Sequence, residues 1–135
     1  MNITQRLGTP IKLAASLAVL TVYSIPLLLF FRESHCTRAF LIWDFGYAII
    51  LASTIFVTQS FLLVRLKLVS GWVLILPLIY LVFDLTENTL AMTGPQIECN
   101  GGVVTILKFI FVALSIFTVM VLLAINIVRK FRNAS

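Results

Sequence analysis

The stretch Tyr80–Asn88 reads Tyr-Leu-Val-Phe-Asp-Leu-Thr-Glu-Asn and places two carboxyl groups and a carboxamide inside an otherwise apolar segment. Asp84, Glu87 and Asn88 are spaced i, i+3 and i+4, so a helix brings all three side chains to one face. A charged side chain at membrane depth costs roughly 2.5 to 3.5 kcal/mol on insertion scales, and such residues usually face the interior of a bundle. This stretch therefore predicts a polar site among packed helices.

The composition of the whole chain is that of an integral membrane protein. Its 135 residues are 61% hydrophobic and 11% charged, whereas about a quarter of the residues in soluble domains are charged. The length allows one small domain, 1–135, and leaves almost no residues for a soluble module. Lys and Arg outnumber Asp and Glu by ten to five, but the basic residues flank apolar segments, which indicates membrane topology and not a nucleic-acid partner.

Four apolar segments meet the requirement of roughly 20 residues for crossing the hydrocarbon core of a bilayer. We expect spans at about 13–31, 40–64, 68–92 and 103–128. The first apolar run, about 19 residues, exceeds the 7 to 15 of a signal-peptide core, so we expect it to be kept as a helix. The predicted fold is an all-α membrane protein, a four-transmembrane-helix bundle surrounded by the lipid bilayer.

The basic residues near the span ends predict the orientation of the bundle. One side collects seven of them: Arg6, Lys12, Arg65, Lys67, Arg129, Lys130 and Arg132. The other side collects only Arg32 and Arg38, so the positive-inside rule predicts that both termini are cytoplasmic. The two non-cytoplasmic connectors then each contain one of the two cysteines, Cys36 and Cys99. That placement favours a disulfide in an oxidising compartment, with two unrelated free thiols as the alternative.

Ionisable residues of three predicted helices fall at similar depth. At a rise of 1.5 Å per residue, they lie about 6 to 12 Å inside the non-cytoplasmic ends of their helices. Tyr47 follows Asp44 by three positions and Tyr80 precedes Asp84 by four, so both phenols can face the same interior. The candidate pocket residues are Asp44, Tyr47, Tyr80, Asp84, Glu87, Asn88 and Lys108.

The charges of this group do not balance. Three carboxyl groups face one ammonium, which leaves up to two negative charges uncompensated in a medium of low dielectric constant. Polar contacts between membrane helices contribute well under 2 kcal/mol each, so helix association alone does not require this much polarity. We expect a protonated carboxyl, a cation, a water-filled cleft or a ligand to supply the difference. The alternative is that the groups only satisfy one another and join the helices.

The same residues resemble a pattern found in a group of small four-helix membrane proteins of uncharacterised activity. The pattern comprises Asp44 with the aromatic Tyr47 on helix 2, Leu76-Pro77 followed by Asp84-x-x-Glu87-Asn88 on helix 3, and Leu107-Lys108 early in helix 4. The resemblance covers helices 2 to 4 and leaves helix 1 and the connectors unmatched. It implies a site at these residues and no particular reaction.

The sequence does not specify an enzymatic reaction or a cofactor. The single histidine, His35, lies in a connector, so neither a zinc hydrolase nor a Ser-His-Asp triad can be built around it. We predict no metal site, although carboxylates and Asn88 are the oxygen ligands that Ca²⁺ and Mg²⁺ take. Asp84 and Glu87 are chemically capable of acid/base work as a neighbouring pair, and no substrate is indicated.

Three classes of function are compatible with this pattern. The first is a pocket open to the non-cytoplasmic side that binds, modifies or moves a lipid or small molecule with a cationic or hydrogen-bonding head group. The second is a proton- or cation-coupled transport element, which the apolar stretches 73–79 and 116–125 disfavour. The third is an accessory subunit whose polar patch docks a membrane-protein partner.

We predict that Cys36 and Cys99 are disulfide-linked in protein taken from its native membrane. Mass spectrometry after alkylation without reduction is expected to show no modified cysteine, and prior reduction is expected to add two alkyl groups. Two alkylated thiols in the unreduced sample would contradict the pairing.

Overall fold

A computed structural model of the protein describes residues 9–29, 37–68, 71–93 and 102–132, without the side chains of residues 27–29. Four helices make up nearly all of this described part: α1 (Pro10–Leu29), α2 (Arg38–Leu66), α3 (Ile75–Thr93) and α4 (Val103–Arg132). A 3₁₀ turn, Trp72–Leu74, leads into α3. The all-α prediction is confirmed for these ranges. Cys36 and Cys99, and with them the predicted disulfide, lie outside the described residues.

The helix bounds differ from the predicted spans by a few residues, for local reasons. α4 continues beyond 128 to Arg132, because basic side chains in the last turn of a helix interact favourably with its negative end. The third helix does not begin at Leu68 as predicted. Lys67, just before it, adopts a left-handed backbone conformation, with φ of 53°, and the next helical turn among the described residues begins at Trp72.

The end of α2 is a Schellman motif, in which two amides fold back onto the last turn. The amide of Leu68 donates to the Leu63 carbonyl at 3.0 Å, and the amide of Lys67 donates to the Val64 carbonyl at 3.1 Å. Glycine usually occupies the left-handed position, because a side chain there costs roughly 1–2 kcal/mol. Lys67 therefore adopts a backbone conformation that is less favourable for lysine than for glycine.

α2 is the central helix of the bundle. It packs against α1, α3 and α4, and α3 also packs along α4. At one end, which we call the Thr37 end, Thr37 accepts a hydrogen bond from the amide of Phe40 and caps α2. At the opposite end, the Leu66 end, α2, the 3₁₀ turn and α4 enclose an apolar cluster. The buried members of this apolar cluster are Leu62, Leu63, Leu66, Leu74 and Leu122.

Three of the helical segments are long and apolar enough to cross a membrane: Arg38–Leu66, Trp72–Thr93 and Val103–Arg132. The apolar part of α1, Pro10–Pro26, is shorter than these three segments. α4 is mostly unburied within the chain, and large apolar side chains such as Phe109 and Phe117 are 61% and 66% exposed. A helix that is apolar on its outward face is compatible with hydrocarbon as its surroundings.

α1 is held to α2 by a reciprocal contact between two aromatic residues. The Tyr23 hydroxyl donates to the Trp43 carbonyl at 3.3 Å, and the Trp43 indole N–H donates to the Tyr23 carbonyl at 3.2 Å. The two rings stack with centroids 4.2 Å apart. Gly46, one turn further along α2, makes room for this contact, because a Cβ atom there would lie 2.1 Å from the Tyr23 hydroxyl oxygen.

We predict that Gly46→Ala loosens α1 from α2. The new methyl group would displace the Tyr23 ring and break the hydrogen bond from its hydroxyl to the Trp43 carbonyl, so we expect a loss of about 1–3 kcal/mol in unfolding free energy, measured by thermal or chemical unfolding in detergent. Gly71→Ala is the matched control, since no atom lies within 4 Å of a Cβ at that position. Equal stability losses from both substitutions would contradict the assignment.

Candidate functional site

The polar residues of α3 form one buried face of that helix. Its buried residues are Pro77, Tyr80, Asp84, Glu87, Asn88 and Ala91, which recur at helical spacing. Pro77 lies in the first turn of α3, where the missing amide donor does not break a helical hydrogen bond. Asp84, Glu87 and Asn88 are therefore presented together to α2 and α4, as their spacing predicts.

Lys108 joins α4 to the two acids of α3. Its Nζ lies 3.0 Å from Asp84 Oδ1 and also contacts Glu87 Oε2. The side chains of Lys108 and Asp84 are 15% and 3% exposed, and that of Glu87 is 6% exposed. The Thr105 hydroxyl, one turn before Lys108, donates to Glu87 Oε1. Both oxygens of Glu87 are thus used by groups from α4.

Asn88 joins α3 to α2. Its Nδ2 donates to Asp44 Oδ2 at 3.0 Å and to Asp84 Oδ2 at 3.1 Å. The Asn88 amide therefore bridges two carboxyl groups from different helices, with one N–H for each of them. Asp84 receives Lys108 on one oxygen and Asn88 on the other, whereas no cation in the described part of the chain contacts Asp44.

Five of the seven predicted pocket residues form this connected network, and the two tyrosines do not. Tyr80 is buried at 4% exposure on the same face of α3, and Tyr47 is half-buried on α2. Neither phenol makes a hydrogen bond among the described residues. The two tyrosines share the interior with the network without contributing a donor to it.

A cleft of about 290 Å³ opens onto the network at the Thr37 end. We call it the acidic cleft. Its lining includes Asp44, Glu87, Asn88 and Lys108, together with the aromatic rings of Phe40 and Phe109. The Lys108 Nζ lies 5.6 Å from the centroid of the Phe109 ring.

Sequence reasoning identified the charged lining of the acidic cleft and missed its aromatic lining. Phe40 and Phe109 belong to a chain with eleven phenylalanines, so composition gave no reason to single them out. Phe40 and Phe109 line the same cleft as Asp44 and Lys108. The sequence does not show this proximity, because it depends on how the helices pack.

The network contains more acidic than basic side chains. It holds three carboxyl groups and one ammonium, which contacts two of them, and the other donors, Asn88 and Thr105, are neutral. Within the described ranges, no group of three His, Cys, Asp or Glu residues is arranged to hold a metal ion. Lys108 instead occupies the position between the two acids of α3.

Comparison of the chain with protein-family models, with curated proteins and with solved structures finds no match. The resemblance to the group of small four-helix membrane proteins therefore stays a prediction.

We predict that Lys108→Met destabilises the bundle, because it leaves Asp84 and Glu87 buried without their cation. Removing one partner of a buried ion pair costs about 3–5 kcal/mol. Asp84→Asn in the same chain is expected to recover part of that loss, giving a coupling of at least about 0.5 kcal/mol between the two positions. Unfolding in detergent measures all four corners of this double-mutant cycle.

The control for this cycle is Lys130→Met at the Leu66 end, which removes the same charge from an exposed position. It is expected to change stability by no more than about 0.5 kcal/mol. A coupling of zero between Lys108 and each of Asp84 and Glu87 would show that these ion pairs do not form.

Proposed function

We propose that the protein is a multi-pass membrane protein with four spans, both termini in the cytoplasm, and the acidic cleft open to the non-cytoplasmic side. α1 is 20 residues long, which corresponds to about 30 Å of helix and suffices for a fourth span. The excess of basic residues at the Leu66 end and beside the termini supports this orientation. The connectors with Cys36 and Cys99 would then lie outside the cytoplasm.

We further propose that the acidic cleft binds the cationic head group of a lipid or of another small amphiphile. The observation that carries this proposal is that Asp44 faces the cleft without a cationic partner among the described residues. It lines the cleft, it receives a hydrogen bond from the neutral amide of Asn88, and no described cation contacts it. A ligand ammonium placed beside Asp44 would supply the missing positive charge.

The aromatic lining suits the same kind of head group. Ammonium groups are attracted to the faces of aromatic rings as well as to carboxylates, and Phe40 and Phe109 lie in the cleft with Asp44. Phe109 and Ile106 are 61% and 60% exposed on the outer surface of α4. An apolar tail resting on that surface would lie in lipid while the head group enters the cleft, which favours an amphiphile over a fully soluble ion.

A proton- or cation-coupled transport element is the second candidate function. Its support is a pair of buried polar atoms between the two ends of α2, since Gln59 Oε1 and Ser60 Oγ have no hydrogen-bond partner in the described structure. The apolar cluster at the Leu66 end lies beyond them and opposes a continuous polar path. Binding of a head group does not require such a path and is the simpler function.

An accessory subunit that docks a partner through the network is the third candidate. Docking would use a polar patch turned outward to lipid. The two acids of α3 and Asn88 are instead 2–5% exposed, so a protein partner could reach the cleft mouth and not the network itself.

We predict that dodecylammonium binds the protein in nanodiscs of zwitterionic lipid, and that the neutral dodecanol does not. Asp44→Asn, which is isosteric and removes the charge, is expected to weaken dodecylammonium binding at least tenfold, or about 1.4 kcal/mol, because a hydrogen bond to a charged group contributes about 1.5–3 kcal/mol. Asp44→Glu keeps the carboxylate and is expected to retain most of the affinity. Microscale thermophoresis measures each constant.

Two outcomes would overturn this function. Equal affinity for the ammonium and the neutral alcohol would mean that only the tail is recognised. Unchanged affinity in Asp44→Asn would mean that the ammonium binds elsewhere.

A further inference from the structure

A second polar cleft lies at the Leu66 end, at the opposite end of α2 from the acidic cleft. Its volume is about 320 Å³, and its lining comprises Arg65, Leu66, Lys67, Asn126, Arg129 and Lys130. We call it the basic cleft. The three described acids, Asp44, Asp84 and Glu87, all belong to the network at the Thr37 end. No carboxylate among the described residues is therefore placed to neutralise the basic cleft.

We propose that the basic cleft is a binding site for the phosphate of an anionic lipid head group. It is a separate site from the acidic cleft and does not depend on the function proposed for that cleft. It depends only on the placement of the Leu66 end at a membrane surface.

The number of cations exceeds what the helix ends require. The C-termini of α2 and α4 lie at this end, and their unpaired carbonyl groups carry about half a negative charge each. Four cationic side chains line the cleft. After both helix ends are compensated, about three positive charges remain. A role limited to stabilising helix ends, or to fixing topology, does not need four cations around one cavity.

Arg129 is anchored so that most of its guanidinium is left for a ligand. Its Nη1 donates to the Leu66 carbonyl at 2.8 Å, which fixes the side chain across the end of α2. A guanidinium carries five N–H donors in a planar fork, which matches the oxygens of a phosphate. The carboxamide of Asn126 lies in the same lining and can donate a neutral hydrogen bond.

Lys67 contributes a charge at a position where glycine would suit the backbone better. Its φ of 53° is left-handed, and it is the one non-glycine residue with positive φ among the described residues. Residues held in such conformations often serve a function that the local backbone does not explain. Here the lysine places an ammonium in the lining of the basic cleft.

The surroundings of the cleft favour a lipid phosphate over a free one. Val128 and Phe131 flank Arg129 and Lys130 in the last turns of α4, and they are 65% and 74% exposed. Apolar side chains exposed between basic ones are typical of a surface that meets acyl chains and head groups together. Basic pockets between helices at the cytoplasmic side are a known mode of binding anionic head groups.

The test uses the full chain in nanodiscs of phosphatidylcholine with a minor fraction of phosphatidic acid, followed by native mass spectrometry to count retained lipids. We expect the wild-type protein to retain phosphatidic acid at least fivefold above its fraction in the disc. Lys67→Gln and Lys130→Gln together are expected to lower this enrichment at least threefold. The control Arg38→Gln removes a positive charge from an exposed position at the Thr37 end and is expected to leave the enrichment unchanged.

Lys67→Gly separates a binding role from a structural one. Glycine adopts the left-handed conformation without strain, so the variant is expected to melt at a higher temperature and still to retain less phosphatidic acid.

Enrichment is also expected to fall as salt rises from about 0.1 M to about 1 M, since the screening length shortens from about 10 Å to about 3 Å.

A third arm identifies the source of the phosphate. Inorganic phosphate at millimolar concentration is expected to leave lipid retention unchanged. If it displaces phosphatidic acid from the wild-type protein, the cleft is a site for soluble phosphate and the lipid proposal is wrong. Wild-type protein without enrichment, or Lys67→Gly with unchanged enrichment, would also overturn it.

Discussion

The contacts of Lys108 and Asn88 join α2, α3 and α4 at the Thr37 end of the bundle. Lys108 brings one ammonium from α4 to the two acids of α3, and Asn88 ties the same face of α3 to Asp44 of α2. Charges are removed from water at a cost of several kcal/mol each, so each contact matters mainly because its absence would leave a buried charge alone. The packing of α2, α3 and α4 at the Thr37 end depends on this compensation.

The two ends of the bundle differ in the charged side chains that line their clefts. The Thr37 end holds a network with three carboxyl groups beside an open cleft, and the Leu66 end holds an apolar cluster with a cleft lined by basic residues. For these two ends we propose two separate ligands, a cationic head group in the acidic cleft and an anionic one in the basic cleft. The apolar cluster between them also explains why binding is a better-supported function than conduction.

The outer helix α1 depends on a different interaction. Tyr23 and Trp43 exchange hydrogen bonds between backbone and side chain, and their stacked rings fit because Gly46 has no side chain. α1 packs on α2. We therefore expect loosening α1 to alter stability more than ligand binding, because none of the residues that line the acidic cleft belongs to α1.

The sequence by itself determined the helical fold class, the face shared by Asp84, Glu87 and Asn88, and the presence of a matching lysine early in α4, because helix period and hydrophobicity are local properties. Only the tertiary structure decided the rest. It left Asp44 as the acid that no described cation contacts, kept both tyrosines out of the hydrogen-bond network, and added Phe40 and Phe109 to the cleft. It also gathered basic residues of α2 and α4 around one cavity, because partners and cavities depend on how helices pack, which no local pattern specifies.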